Sequence, residues 1–248
     1  MLKAFLLIKV NLIQPLENAQ IKHSWKLNYH EAVTIQDRLR LRVEIHPLSV
    51  ERIRFLAAAD ISFSKQQPEL YAAVLLFTFP ELILVEHQTT IAQAEFPYIP
   101  GLLSFREAPV LLPLFLRLQQ KPDVIFIDGQ GIAHPRRFGL ASHLGVLLET
   151  PTIGCAKSRL CGSYTSVPQH KGEWIPLRDG DVEIGWVLCT RTGVKPIFIS
   201  VGHRVDLDSA IRIVMRTVSR YRIPEPIRAA HRLVNSMRVN QATEIRKK

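Results

Sequence analysis

Apolar positions recur along this chain with two periods, and the switches between them mark out its elements. Across residues 28–44, Val33, Leu39 and Val43 supply an apolar side while Arg38, Arg40 and Arg42 face elsewhere, which predicts a helix. Residues 55–63 read as a strand that carries an acid, Asp60. Residues 71–78 and 82–85 predict the next two strands, with Pro80-Glu81 as the turn between them, so three antiparallel strands follow one another. Two prolines stiffen the loop over residues 96–101, and a helix is expected over about 108–120. Residues 124–127 form an unbroken apolar run ending in Asp128-Gly129, the pattern of a strand buried on both faces with its acid at the C-terminal tip. Leu140, Leu144, Leu147 and Leu148 mark another helix, and residues 152–156 a short strand. Later strands are expected over 184–190 and 196–201, and closing helices over 207–221 and 225–237.

This order predicts an α/β fold with a central mixed sheet flanked by helices. In open sheets of this kind chemistry gathers at strand tips, and Asp60 and Asp128 both belong to strands expected to be central. No internal repeat or linker divides the chain. The first residues resemble a signal peptide, but Lys9 interrupts the apolar run and no small-x-small cleavage site follows. Residues 1–24 are therefore read as a strand-like or poorly ordered extension, 25–240 as the catalytic domain and 241–248 as a basic tail. No stretch is long and apolar enough to suggest a bilayer span, so no membrane role is expected.

Composition narrows the partners. The 248 residues are 47% hydrophobic, enough for a sizeable core, and carry a formal net charge of +10. That balance favours an anionic partner, either nucleic acid or an acidic membrane surface. The cysteines, Cys155, Cys161 and Cys189, are odd in number and form no C-x-x-C pair. A disulfide framework and a zinc site are both disfavoured, and a reducing, cytoplasmic compartment is expected.

Asp60, Glu107 and Asp128 are acids on or beside different core elements. Asp60 and Asp128 are embedded in apolar sequence, where an unpaired charge is expensive. Acids brought together repel one another, and a divalent cation relieves that repulsion. Oxygen ligands without a cysteine suit Mg²⁺, or Mn²⁺ in its place, and such ions serve phosphodiester cleavage. The bland readings stand beside this one. Asp60 and Asp128 could each be turn residues. Ser104 and Glu107 have the spacing of a helix capping box, although Pro109 argues against a helix running from Phe105.

The segment Asp128-Gly-Gln-Gly-Ile-Ala-His134-Pro-Arg136-Arg137 places an acid, two glycines, a histidine and two arginines in one loop after a buried strand. Glycines allow close backbone approach to a ligand, and the basic side chains supply anion contacts. It fails as a dinucleotide fingerprint, because the third glycine is missing. Lys157 follows a strand and is either a phosphate contact or a solvated lysine. Arg212, Arg216 and Arg220 make an i, i+4 stripe that reads as a solvated helix face ahead of a DNA track. His231 fits either a packed helix position or the site.

Taken in order, the stretches at residues 59–63, 97–107, 128–136, 138–143, 156–160 and 231–233 resemble the endonuclease V family. The resemblance implies a ribonuclease H-like fold and an enzyme that cuts DNA containing deoxyinosine. The cut implied is at the second phosphodiester bond 3′ to the lesion, leaving 3′-hydroxyl and 5′-phosphate ends. Carried over by position, Asp60 and Asp128 bind Mg²⁺ and Glu107 completes the acidic site. His134 lies close to the reacting phosphate or a second ion, Lys157 contacts the phosphate near the cut, and His231 is an outer member. Pro97, Tyr98, Ile99 and Pro100 match a strand-separating wedge, whose apolar tip can enter a disturbed base stack. The flipped base goes to a pocket involving Gly101, Leu103, Gly129, Gly139 and Leu140.

The expectation is a Mg²⁺-dependent deoxyinosine endonuclease of DNA repair, acting as a monomer. Two rivals remain from the sequence: a ribonuclease acting on inosine-containing RNA, and a non-catalytic nucleic-acid-binding module. The second would be expected to lack an acid of the trio, and all three are present.

Overall fold

The computed structural model describes residues 23–63 and 68–246, with side chains described as far as residue 241. The expected extension at 1–24 lies almost entirely outside the described residues. Helix α1 (Tyr29–Leu39) starts at a reciprocal capping box: Asn28 accepts from the Glu31 amide, and Glu31 accepts from the Asn28 amide. A 3-10 turn over Arg40–Arg42 ends it, so the helix is shorter than its apolar pattern suggested.

Strands β1 (Phe55–Phe63) and β2 (Glu69–Thr78) lie where the apolar runs put them. The third strand does not. The strand expected at 82–85 starts two residues later, after a turn at which Leu82 takes φ 57°, and runs on much further as β3 (Leu84–Gln93). β3 is an edge strand with no buried residue, and its polar stretch Glu86–Thr90 hid it from a hydrophobic reading.

Helix α2 (Leu103–Leu116) corrects two expectations: it begins earlier than residue 108, and Ser104 and Glu107 form no capping box. The cap position is Leu102, and Pro109 and Pro113 both sit inside the helix. Each proline forfeits a backbone hydrogen bond, at a cost of about 3 kcal/mol. Burial of Phe105, Ala108, Val110, Leu111, Leu112, Leu114 and Phe115 offsets it.

Then come β4 (Val124–Ile127), α3 (Leu140–Leu148) and β5 (Thr152–Ala156), as expected. Strand β6 (Trp174–Asp179) was not foreseen; it is an edge strand with only Leu177 buried and a proline at 176, a residue tolerated at sheet edges. Strands β7 (Val182–Leu188) and β8 (Ile197–His203) precede α4 (Leu207–Arg216) and α5 (Glu225–Arg246). α4 ends at Arg216, so Arg220 lies beyond the stripe proposed for it, and α5 carries most of the expected basic tail as helix.

The eight strands form one mixed sheet in the order β3-β2-β1-β4-β5-β8-β7-β6. Its register positions the site. β1 and β4 run parallel with Ala59 beside Ile127, which brings Asp60 and Asp128 to neighbouring places one step further on. β4 and β5 are also parallel, with Ile127 beside Gly154, so Lys157 leaves the sheet at the same end. Alternation along the strands fills two cores. Ala57, Ala59, Ile125 and Ile127 pack toward α2 and α3, whereas Leu56, Ala58, Val124 and Phe126 pack toward α4 and Ile227 of α5.

Candidate active site

Asp60 and Asp128 open into a cavity of about 440 Å³ at the C-terminal ends of β1, β4 and β5. Its wall carries Glu107 from α2, Lys157 from the end of β5 and His231 from α5. Asp60, Asp128 and His231 can each offer a ligand atom within 4.8 Å of the others. His231 Nδ1 donates to Asp60 Oδ2 at 2.7 Å. Lys157 Nζ makes an ion pair with Asp128.

Electrostatics within the cluster are unfavourable to full ionisation. Burial, and then the charge of Asp128, push the Asp60 carboxyl up to about 6, against the pull of His231 and Lys157. Burial pushes Glu107 up to about 8, with Asp60 and Asp128 adding to the rise. Three carboxyl groups therefore face one another with one lysine and one histidine as close counterparts. The donor set fits a hard divalent cation, which would offset the repulsion that raises both groups.

The expected base-pocket residues Gly101, Leu103, Gly129, Gly139 and Leu140 all line this same cavity, as do Tyr98, Ile99 and Pro100. Pro97 is exposed and lies off the wall. Tyr98 is 62% exposed at the tip of the proline loop, although it is a large aromatic residue. Gly139 accommodates a close approach: a Cβ there would sit 2.3 Å from the Gln130 carbonyl oxygen.

His134 lines the cavity but uses its ring on the protein. Its Nε2 donates to the Gly101 carbonyl at 3.0 Å, and its Nδ1 accepts from the Arg136 amide at 3.1 Å. The Gly101 carbonyl also accepts from Arg136 Nη2 at 2.7 Å and from Gln36 Nε2 at 3.0 Å. Three donors thus fasten the base of the 97–101 loop, where Gly101 takes φ +79°. Burial, then Arg136, hold His134 down to about 4, so the ring is neutral. Gln36 escaped the sequence reading. Its signal was a polar residue on the buried face of α1, between Ala32, Ile35 and Leu39.

The solvated reading of the arginine stripe agrees with the structure, since Arg212 and Arg216 are exposed and Arg216 reaches Glu51 at 3.9 Å. No helix among the described residues is long and apolar enough to cross a membrane.

A family model described as endonuclease V matches residues 37–232. An endonuclease V from Nostoc sp. is 45% identical over 214 residues, covering 86% of this chain and 97% of that protein. Among solved structures, the endonuclease V of Streptomyces avermitilis superposes with a TM-score of 0.83 at 41% identity, covering 90% of this chain and 98% of that one. The endonuclease V of Ciona intestinalis, in complex with a 24mer DNA containing an inosine followed by a ribo-adenosine, gives a TM-score of 0.75 at 27% identity, over 85% of this chain and 98% of that one. The ribonuclease H-like α/β architecture expected from the sequence is thus the fold of this chain.

Proposed function

The chain belongs to the endonuclease V family, and from that premise we propose that it is a DNA repair endonuclease acting on deoxyinosine, with Mg²⁺ held by Asp60 and Asp128. The observation that carries this reading is the convergence of Asp60, Glu107 and Asp128 on one cavity whose rim holds the exposed Tyr98. A non-catalytic module has no use for three mutually repelling carboxyl groups around an accessible cavity. The Ciona relative's inosine-containing DNA supports the choice of substrate.

In this reading Pro97, Tyr98, Ile99 and Pro100 enter the base stack beside the lesion, and Tyr98 covers the gap. His134, Arg136 and Gln36 keep that loop rigid from behind through the Gly101 carbonyl. The flipped base enters the space bounded by Gly101, Leu103, Gly129, Gly139 and Leu140. An inosine–thymine wobble pair opens at lower cost than a Watson–Crick pair, which favours the damaged site. The scissile phosphate, the second on the 3′ side, then lies against the acids. When bound, Mg²⁺ supplies charge neutralisation and Lewis acidity for phosphodiester hydrolysis, and Mn²⁺ suits the same oxygen donors. Lys157 binds the phosphate near the cut, Glu107 closes the acidic site from the α2 side, and His231 fixes the Asp60 carboxylate from α5. The protein works as a monomer in the cytoplasm, a compartment in keeping with three free cysteines.

The test is a nicking assay on a labelled duplex with one inosine, beside an undamaged duplex and an inosine-containing RNA, with Mg²⁺ and with EDTA. One Mg²⁺-dependent nick, one nucleotide beyond the inosine on its 3′ side, is the expected result. Preferential cutting of the RNA moves the same site to RNA metabolism, and tight inosine binding without any cut overturns the catalytic reading.

A further inference from the structure

Three loops cluster beside the acids, and together they contain a single acidic residue, Glu173, whose carboxylate accepts from the Gln169 and His170 amides. They are residues 157–173 between β5 and β6, 189–196 between β7 and β8, and 217–224 between α4 and α5. They carry seven cations: Lys157, Arg159, Lys171, Arg191, Lys195, Arg220 and Arg222. The chain as a whole has 32 basic and 22 acidic side chains, so seven cations against one carboxylate depart from its average. Among the described residues only Lys157 of the seven has a carboxylate within 4.0 Å.

The loops form one surface because they are tied to each other. Arg222 Nη2 donates to the carbonyls of Lys157 at 2.5 Å and Pro196 at 3.1 Å. Thr190 Oγ1 donates to the Arg222 carbonyl at 2.6 Å, and Arg191 Nη1 donates to the Arg220 carbonyl at 3.0 Å. The Lys171 amide donates to Thr192 Oγ1 at 3.0 Å. Arg222 thus spends its guanidinium on the backbone, while Lys171, Arg191, Lys195 and Arg220 stay exposed. Arg191 and Arg220 each use a guanidinium nitrogen within the loops, on the Arg220 carbonyl and the Tyr221 hydroxyl, yet the four like charges held together on braced loops still repel. The arrangement suits a polyanion that runs past them.

The surface has a definite place relative to the cavity. The cavity's Gly101, Leu103 and Leu140 belong to the α2 and α3 side of the sheet. The 217–224 loop belongs to the α4 and α5 side, and Asp60 and Asp128 stand on the central strands β1 and β4 between the two. We propose that the lesioned strand, after passing the acids, continues 3′ of the cut over Lys171, Lys195, Arg191 and Arg220, with its phosphates held by these loops. This assignment rests on the proposed function, which puts the lesion in the cavity and the cut at the acids. It gives the enzyme a grip on the 3′ arm of its DNA that is separate from lesion recognition.

The test compares the unsubstituted protein with a variant carrying Lys171→Ala, Lys195→Ala and Arg220→Ala, none of which lines the cavity. Binding is measured against salt on two inosine duplexes, one with a long arm 3′ of the cut and one ending two base pairs beyond it. On the long arm the variant is expected to bind roughly 10-fold more weakly at 0.1 M salt, and its slope of log affinity against log salt to be shallower by about 3. On the short arm the two proteins should bind alike. An equal loss on both duplexes, or an unchanged slope on the long one, overturns the assignment. Nicking by the unsubstituted protein reports separately on the proposed function, since the slope is read from binding and stands whether or not a nick appears.

Discussion

His231 Nδ1 donates to Asp60 Oδ2 at 2.7 Å across 171 residues of chain. The other ring nitrogen, Nε2, accepts from Asn235 Nδ2 at 3.0 Å, one helical turn further along α5. The ring is therefore fixed by a partner on each side, and α5 holds the carboxylate of a central strand in one orientation. Replacing His231→Ala should leave the fold intact and raise the Mg²⁺ concentration for half-maximal activity by roughly 10-fold, because outer partners of metal ligands contribute on that scale. A metal titration of the nicking rate checks it; an unchanged midpoint removes the orienting role.

Asp128→Ala should abolish cleavage, by at least about 100-fold, while inosine DNA still binds, since the loss falls on the chemistry and not on the pocket. Gel-shift and nicking assays run on the same preparation separate the two. Normal cleavage by this variant would count against the metal site as a whole.

Tyr98→Ala should weaken lesion binding by about 1–3 kcal/mol, the range for a base–aromatic contact, without moving the metal midpoint. The side chain is exposed and makes little of the core, so thermal stability should hold. Lesion affinity equal to that of the parent would rule out the wedge role.

Glu107→Gln should stabilise the metal-free protein at pH 7. The folded-state carboxyl titrates near 8, above its ordinary 4.5. Its contribution to stability is thus complete below about 4.5 and is lost as pH rises toward 8. By pH 7 most of that loss has occurred, on the order of 3 kcal/mol. Urea unfolding in EDTA at pH 5 and pH 7 measures it: the variant should gain little at the lower pH and clearly more at the higher. A variant less stable at both values would refute the account.

His134→Gln should flatten the acid limb of stability. The neutral folded ring titrates near 4 against an ordinary 6.5, so its contribution is present above 6.5 and is lost as pH falls toward 4. The loss at pH 5 is roughly 2 kcal/mol. Glutamine keeps a donor for the Gly101 carbonyl but does not titrate. Melting temperatures from pH 7 to pH 4.5 should fall less steeply in the variant, and parallel curves would show that this ring does not set the slope.

Buried apolar runs were readable in the chain because burial on both faces leaves nothing but apolar residues. β1, β4, β5 and α3 all have such runs, and their positions follow from sequence. Elements at the sheet edges were not readable. β3 and β6 are held by backbone pairing to one neighbour, and their side chains carry too little apolar signal. α2 was misjudged for the opposite reason: local propensity counts against a helix with two prolines, and only tertiary burial overrides it.

The same division holds for the site. Sequence by itself singled out Asp60 and Asp128, because a carboxylate beside apolar strand residues is costly enough to need a reason. The family's ordered motifs determined the class of reaction. Only the tertiary structure decided that Asp60 and Asp128 are neighbours through the parallel β1–β4 register. It also decided that His231 reaches Asp60 from the far end of the chain and that His134 braces the Gly101 carbonyl. Those relations depend on strand order and on helix docking, which join residues far apart in sequence, and no local pattern in a single chain encodes a distance between two such residues.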